Sequence, residues 1–451
     1  MYASNLRSKG QYRVKRITDP VITGPVTREP KNLNQLRKVM DPAVQTPQPI
    51  RPQGAGTAST HCNISESGTT LKMTGMDRIV HIDTYNHTVT AEAGVRLETL
   101  VRELAEHGLE LIGGYDLQGR TVGGAIMAPC YGPSIGSNGG FFASHVIAMR
   151  FALTNGELLR IEPEQKDLLA AFRMSYGTLG ILYEATMRVR PIRTFTASHR
   201  RVTIDKFADS VDVLANGDVG FKFYLMPYRD RVYLDLRRYD NDPGNAYKAP
   251  WKLKDWGEST VLPHVFRSLN RVVPIQSVRY KLIDSISEAT QGLVNSRLVS
   301  TGTNASLQSS SRQCRYSTWC FPAANFSMIA KAYRDFCEMT YASNQYRCDM
   351  PAVGFHLCND KTSLLSPSFD ESMIALTTAS TQAKGWEDFV IDLAEFAEKW
   401  GGTPLISQSR ALRAEHVIQT YSKRLDCFRL LRRKLDADKR LLSPFLAQFC
   451  Q

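Results

Sequence analysis

The sequence predicts an α+β fold in two unequal parts, and three observations predict it. Glycines crowd the first 193 residues, where short β-branched runs alternate around one clear helical pattern. From about Thr194 to Ser407, strand pairs such as FKFYLMPYRDRVYLDL alternate with amphipathic helices, the signature of a separate α+β unit built on an antiparallel sheet. A last helical face, carrying Leu425, Phe428, Leu431 and Leu435, is free to return to the first part. The expected units are therefore 1–193, a glycine-rich binding domain; 194–415, a cap over it; and 416–451, the returning segment.

The elements follow in order. RIVHID and TVTAEAGV flank Thr84–His87 and predict a hairpin, because β-branched residues border an Asn-containing turn. Leu97, Leu100, Val101 and Leu104 recur at helical spacing, with Gly108 placed for a C-terminal cap. VIAMRFAL and ELLRIEP surround Asn155-Gly156, a strong hairpin signal. In the cap, Trp386, Phe389, Val390, Leu393, Phe396 and Trp400 mark a helix. Residues from Asn241 to about Arg312 lack a clear pattern, and Ser309 to Arg312 reads as an exposed loop.

A chain of 451 residues with 43% hydrophobic content can bury a large core. Its net charge of +12 suits nucleic acid, an anionic membrane surface or an acidic ligand. Lys and Arg are nonetheless scattered, with no zinc knuckle or aromatic RNA-binding signature, so specific nucleic-acid binding is not expected. Nine widely spaced cysteines, no apolar signal segment and no run of about 18 apolar residues point to a cytoplasmic chain with reduced thiols. No paired Cys or His spacing supports a metal site.

The glycine motifs carry the chemistry. RPQGAGTAS, from Arg51 to Ser59, offers Gly54 and Gly56, whose backbone amides can approach a pyrophosphate closely. A dinucleotide fingerprint would need a third glycine where Ser59 stands and a helix starting there, and neither is present. Alone, the segment is a weak signal, and a plain surface turn is the rival reading. Three further segments follow in order: AEAGVRLETL around Gly94, GRTVGGAI from Gly119 to Ile126, and YGTLGILYEATMRVRP from Tyr176 to Pro191.

Together these four segments resemble the FAD-binding (PCMH-type) domain of the vanillyl-alcohol-oxidase superfamily, over about residues 20 to 193. FRLLRRKLDADKRLLSPFL and NDKTSLLSPSF are similar to segments of the aldonolactone, alditol and decaprenylphosphoryl-ribose oxidase group. The resemblance implies a two-subdomain fold holding FAD in extended form, and a flavoprotein oxidoreductase with oxygen or another electron acceptor. It places Gln53, Gly54, Ala55, Gly56, Thr57 and Ala58 at the pyrophosphate. Leu117, Thr121, Val122, Gly123 and Gly124 fall at the second phosphate and ribose, Gly132 at the flavin edge, and Gly180 and Ile181 toward the adenine. Phosphates held by oriented amides need neither Lys nor Arg.

The chain also departs from that pattern. Where many relatives carry a flavin-linking histidine, it has Thr57, so FAD is expected to be non-covalent; His61 lies four residues on, and Cys130 in APCYG is the remaining conceivable tether. A lysine of the lactone and alditol oxidases is replaced by Gln408. Their glutamate and arginine pair falls within PAVGFH, Pro351 to His356, which supplies neither. His356 becomes the expected general base, since an imidazole titrates near neutrality. Tyr131 replaces a histidine and can donate a hydrogen bond to a reacting oxygen, and Gln408 can orient substrate or flavin.

The implied reaction removes a hydride from a C–H bond next to oxygen in a small alcohol, polyol or lactone-like substrate, one larger or less polar than a simple sugar lactone. Rival readings are another flavin reaction on the same scaffold, such as hydroxy-acid dehydrogenation, amine oxidation or oxidative cyclisation, and a catalytically silent binding protein. An acid substrate would need a cationic clamp, for which Arg410 and Lys361 are the candidates. His145 reads as a structural histidine. Trp251 and Trp256, with the basic segment that follows, allow peripheral contact with a membrane surface as well as ordinary packing.

Overall fold

The computed structural model describes residues 25–113, 119–136, 140–239, 248–294, 298–301 and 314–451. Its first part holds two sheets. A parallel three-stranded sheet orders Val26–Arg28, Thr69–Lys72 and Ile50–Gln53, with the helix Leu33–Met40 packed on it through Leu36 and Met40. An antiparallel sheet orders Ile79–Asp83, Thr88–Glu92, Ile181–Pro191, Val146–Ala152 and Leu158–Ile161, with Leu109–Leu111 added beside Ile181–Pro191.

Local chemistry accounts for these elements. At the first hairpin turn Asp83 Oδ1 accepts from the amides of Tyr85 and Asn86, and His87 takes a left-handed φ of 52°. At the second, Gly156 supplies φ 81°, and Leu153 closes the turn onto Glu157. The helix Leu97–Glu106 buries its four expected apolar residues and ends at Gly108, φ 70°.

The second part is built on an eight-stranded antiparallel sheet. Its order is Leu298–Thr301, Phe195–Val202, Arg231–Tyr239, Gly220–Met226, Ala352–Leu357, Met373–Ser380, Arg315–Pro322 and Thr403–Pro404. One face packs against the helices Ile204–Asn216, Phe326–Asn344 and Trp386–Lys399. Strand alternation then turns the other face toward the first part.

Residues 248–294 correct the reading of a patternless segment: three helices form there, Lys248–Trp256, Leu262–Val272 and Gln276–Gly292. Their buried positions include Lys254, Ser287 and Gln291, while Val272, Ile275 and Leu282 are exposed, so polar residues inside and apolar ones outside blur the periodicity. The expected loop at Ser309 to Arg312 lies outside the described residues. The last long helix, Ala414–Leu435, kinks at Ser422 and buries Leu425 and Phe428 in the core of the first part, with Leu431 and Leu435 packed against it. Among the described residues no helix is long and apolar enough to cross a membrane, and no disulfide joins any of the nine cysteines.

Candidate functional site

A groove opens in the first part, and a chamber of about 620 Å³ lies between it and the free face of the large sheet. Gly56, Thr57, Ala58, Arg120, Tyr316 and Gln408 line both, so the two cavities meet there.

The loop after the strand Ile50–Gln53 forms one wall of the groove. Gly54, Gly56, Thr57 and Ala58 line it, and their amides donate to no protein acceptor among the described residues. Gly56 has φ 71°, and a Cβ at Gly54 would land on Thr121 Oγ1. Thr121 caps the short helix Val122–Met127 by accepting from the Gly124 amide at 3.2 Å. The loop is stitched to the second part: Ser59 N–H donates to Ser407 O at 3.0 Å, Thr60 Oγ1 to Ile406 O at 2.7 Å, Arg410 Nη1 to Ser59 O at 2.8 Å and Tyr316 O–H to Thr57 O at 2.6 Å.

The residues expected to hold the cofactor fall in different places. Gly54, Ala55, Gly56, Thr57, Ala58, Thr121, Gly123 and Gly124 share the groove, with Gln53 beneath Gly56. Val122 is buried in the core, and the amides of Val122 and Gly123 are spent on Val95 O and Ala93 O; a Cβ at Gly123 would stand 2.9 Å from that of Ala93, so this glycine serves close packing. Gly132, Gly180 and Ile181 line neither cavity: Gly180 packs on Leu153 and Phe151, and Ile181 joins a core cluster with Leu36 and Ile50. Leu117 lies outside the described residues.

Arginine also enters the groove, although phosphates held by amides do not require it. Arg51 and Arg120 both line it. Arg51 is 1% exposed, and its guanidinium donates to the carbonyls of Cys62, Tyr176, Gly177 and Leu441 with no carboxylate partner among the described residues. Burial pushes it down to about 10, so it stays cationic at neutral pH. A fixed positive charge under a loop of open amides fits a diphosphate, and the residues present therefore fit FAD. The only sequence signal for Arg51 was its place at the head of RPQGAGTAS.

The chamber corrects the expected base. The strand Ala352–Leu357 presents Val353 and Phe355 to the chamber, which puts His356 on the opposite face, stacked on Phe221 at 5.7 Å. Burial pushes His356 down to about 4, so it is neutral at working pH, and it does not line the chamber. Tyr131 and Gln408 both line the chamber: Tyr131 O–H donates to Gln408 Oε1 at 3.0 Å, and Gln408 Nε2 donates to Pro129 O at 3.1 Å. Burial holds the Tyr131 phenol protonated, well above the usual tyrosine range.

Sequence reasoning missed the charged side of the chamber. Lys222 and Tyr224 project from Gly220–Met226, and Glu258, Ser259, Leu262 and Gln291 face them from the helical wall. Behind Tyr224 lies the buried Lys254, 3.3 Å from Asp235 and 3.4 Å from Glu258, with His199 hydrogen-bonded to Asp235. Burial alone would raise the Asp235 carboxyl, but the Lys254 ammonium and the His199 hydrogen bond hold it well below the usual range. Tyr224 O–H donates to Glu258 at 2.8 Å, and Gln291 Nε2 also donates to that carboxylate.

The other candidates fall away from the cavities. Cys130 packs in the core of the first part and lines neither cavity, and His61 is exposed beside Glu66 at 3.4 Å. Arg410 lines the chamber but pairs with Glu387 at 2.9 Å, and Lys361 is exposed outside it. Trp251 is buried and Trp256 is 56% exposed. Among the described residues no His, Cys, Asp and Glu grouping could hold a metal ion.

The chain is similar to known proteins over both of its parts. A family described as D-arabinono-1,4-lactone oxidase matches residues 185–449, and one described as FAD binding domain matches residues 25–162. L-gulono-1,4-lactone dehydrogenase of Mycobacterium tuberculosis is 26% identical over 215 residues, 48% of this chain and 49% of that protein. L-gulonolactone oxidase of Bos taurus is 25% identical over 224 residues, 49% of this chain and 50% of that one. The chain thus spans about half the length of the curated relatives it matches. Cholesterol oxidase from Brevibacterium sterolicum shares the fold, with a TM-score of 0.77 at 14% identity over 94% of each chain. Xylooligosaccharide oxidase from Myceliophthora thermophila does so with 0.65 at 12% identity, over 93% of this chain and 91% of that one.

Proposed function

The chain belongs to the D-arabinono-1,4-lactone oxidase family, with FAD as its cofactor, and from that premise we propose that it oxidises a C–H bond next to oxygen in a small molecule held in the chamber. The observation that carries this reading is the junction itself: Thr57, Arg120, Tyr316 and Gln408 belong to the groove and to the chamber at once. A substrate in the chamber is therefore next to whatever the groove holds.

When bound, FAD supplies a two-electron acceptor for the hydride. The chain does the rest. Open amides of Gly54, Gly56, Thr57 and Ala58, over the charge of Arg51, hold the diphosphate. The protonated Tyr131 phenol and the Gln408 amide, fixed by their mutual hydrogen bond, orient the reacting oxygen at the junction. Of the two carboxylates lining the chamber, Glu387 is 64% exposed and paired with Arg410, whereas Glu258 is the inner one. Glu258 is the acceptor we assign to the substrate's hydroxyl proton, in place of His356. The departures at Gln408 and within Pro351 to His356 favour a larger or less polar molecule than a simple sugar lactone, and the reduced cofactor would pass its electrons to oxygen or another acceptor. The same reading takes the setting as cytoplasmic and the units 1–193, 194–415 and 416–451 as binding domain, cap and returning segment.

Anaerobic mixing of the flavin-loaded protein with a panel of alcohols, polyols and lactones tests the proposal. At least one class should bleach the visible flavin absorption, and Glu258→Gln should slow that bleaching by about 10²-fold or more with flavin content unchanged. Unaltered bleaching in the variant removes Glu258 from the reaction; no bleaching by any member removes the substrate class.

A further inference from the structure

Lys222 is used by none of the steps above. It is 8% exposed and lines the chamber, yet among the described residues it makes no ion pair and no hydrogen bond. Its ammonium lies 4.8 Å from the Tyr224 ring centroid and 5.6 Å from that of Phe355, held by two aromatic faces and by no acceptor. The nearest carboxylate by register is Asp235, directly across the strand pair, and its oxygens are taken by His199 and Lys254. Three N–H donors on a buried cation without an acceptor are costly unless something that enters the chamber satisfies them.

The lining as a whole has the same sign. Arg120, Lys222, Arg315 and Arg410 face Glu258 and Glu387, and both of those carboxylates already belong to ion pairs, with Lys254 and Arg410. Lys222 also stands directly opposite Phe355 in the sheet. A net charge of +12 further favours an acidic ligand.

We propose that Lys222 is the substrate's docking cation and that the chamber takes a hydroxy acid, whose carboxylate pairs with Lys222 while its hydroxyl lies at the junction with the groove. This rests on the chamber being the substrate site, as argued above. The acid's aliphatic or aromatic body is held by the rings of Tyr224, Phe355 and Tyr131.

Calorimetric titration of the flavin-loaded protein with phenylacetate and with phenylacetamide, equal in shape, different in charge and lacking the hydroxyl that oxidation needs, tests it. Wild type should bind the acid at least about ten-fold more tightly than the amide, the difference a charge-assisted pair makes. Lys222→Met should bring the two affinities within about two-fold by weakening the acid alone, and Lys222→Arg should keep the preference. Equal affinities in wild type, or no binding of the acid, overturn the proposal without recourse to any variant. So does a preference that Lys222→Met leaves intact. The heat of binding does not depend on flavin reduction: a protein that prefers the acid but bleaches with nothing sinks the redox reading, and a protein that bleaches without preferring the acid sinks the role of Lys222.

Discussion

Tyr131 and Gln408, 277 residues apart, meet in one 3.0 Å hydrogen bond where the groove opens into the chamber. Tyr131 belongs to the glycine-rich part and Gln408 to the loop that follows the large sheet. The bond therefore joins the two parts where the groove and the chamber meet. Tyr131→Phe removes the donor and leaves Gln408 Oε1 buried with no partner, at a cost of about 1–3 kcal/mol. We expect a lower unfolding temperature and anaerobic bleaching slowed by about ten-fold, with flavin content retained. A double-mutant cycle with Gln408→Leu should show that the two losses do not add.

Close backbone approach defines the cofactor wall. Leucine at Gly54 would drive its side chain into Thr121, and leucine at Gly123 would meet Ala93. Each variant should fold, by circular dichroism, yet carry less than about a tenth of the wild-type flavin. Normal flavin content in both would refute the placement.

His356 gives a pH signature in stability and none in catalysis. Its folded value, about 4, lies below the unfolded 6.5, so the neutral ring contributes stability that is fully present above 6.5 and is lost as pH falls through 4. Replacing it with Phe should flatten the fall in melting temperature between those values and leave bleaching at neutral pH within about two-fold. A large loss of bleaching would return His356 to the reaction.

The buried Lys254 holds two carboxylates at once. Lys254→Met leaves Asp235 and Glu258 without that cation in a region where Lys254 is fully buried, and breaking such a pair costs about 3–5 kcal/mol. Urea unfolding at neutral pH should read a loss of that order. A loss below about 1 kcal/mol would mean that the network contributes nothing to the fold.

Local chemistry made much of the fold legible and little of the chamber. The turns at Thr84–His87 and Asn155-Gly156, the helix from Leu97 and the cap helix from Trp386 each declare themselves within a dozen residues. The glycine wall was legible only through the ordered set of glycine segments, since RPQGAGTAS alone left a surface turn open and the close approach at Gly54 is to Thr121, far along the chain. Glu258, Lys222 and Phe355 come from elements far apart in the chain, and only the sheet register brings them to one cavity. His356 went astray by one position: alternation was visible in Ala352–Leu357, but nothing local says which face the chamber takes. Helices 248–292 hid because their buried faces hold ions and amides while apolar residues remain outside.

The visible absorption spectrum of the purified protein, before and after acid precipitation, tests the central claim most directly. The account predicts a flavin spectrum whose colour moves wholly to the supernatant, because Thr57 offers no tether and Cys130 is packed in the core. Colour left in the pellet would contradict the non-covalent site, and a colourless protein that also refuses added FAD would contradict the account as a whole.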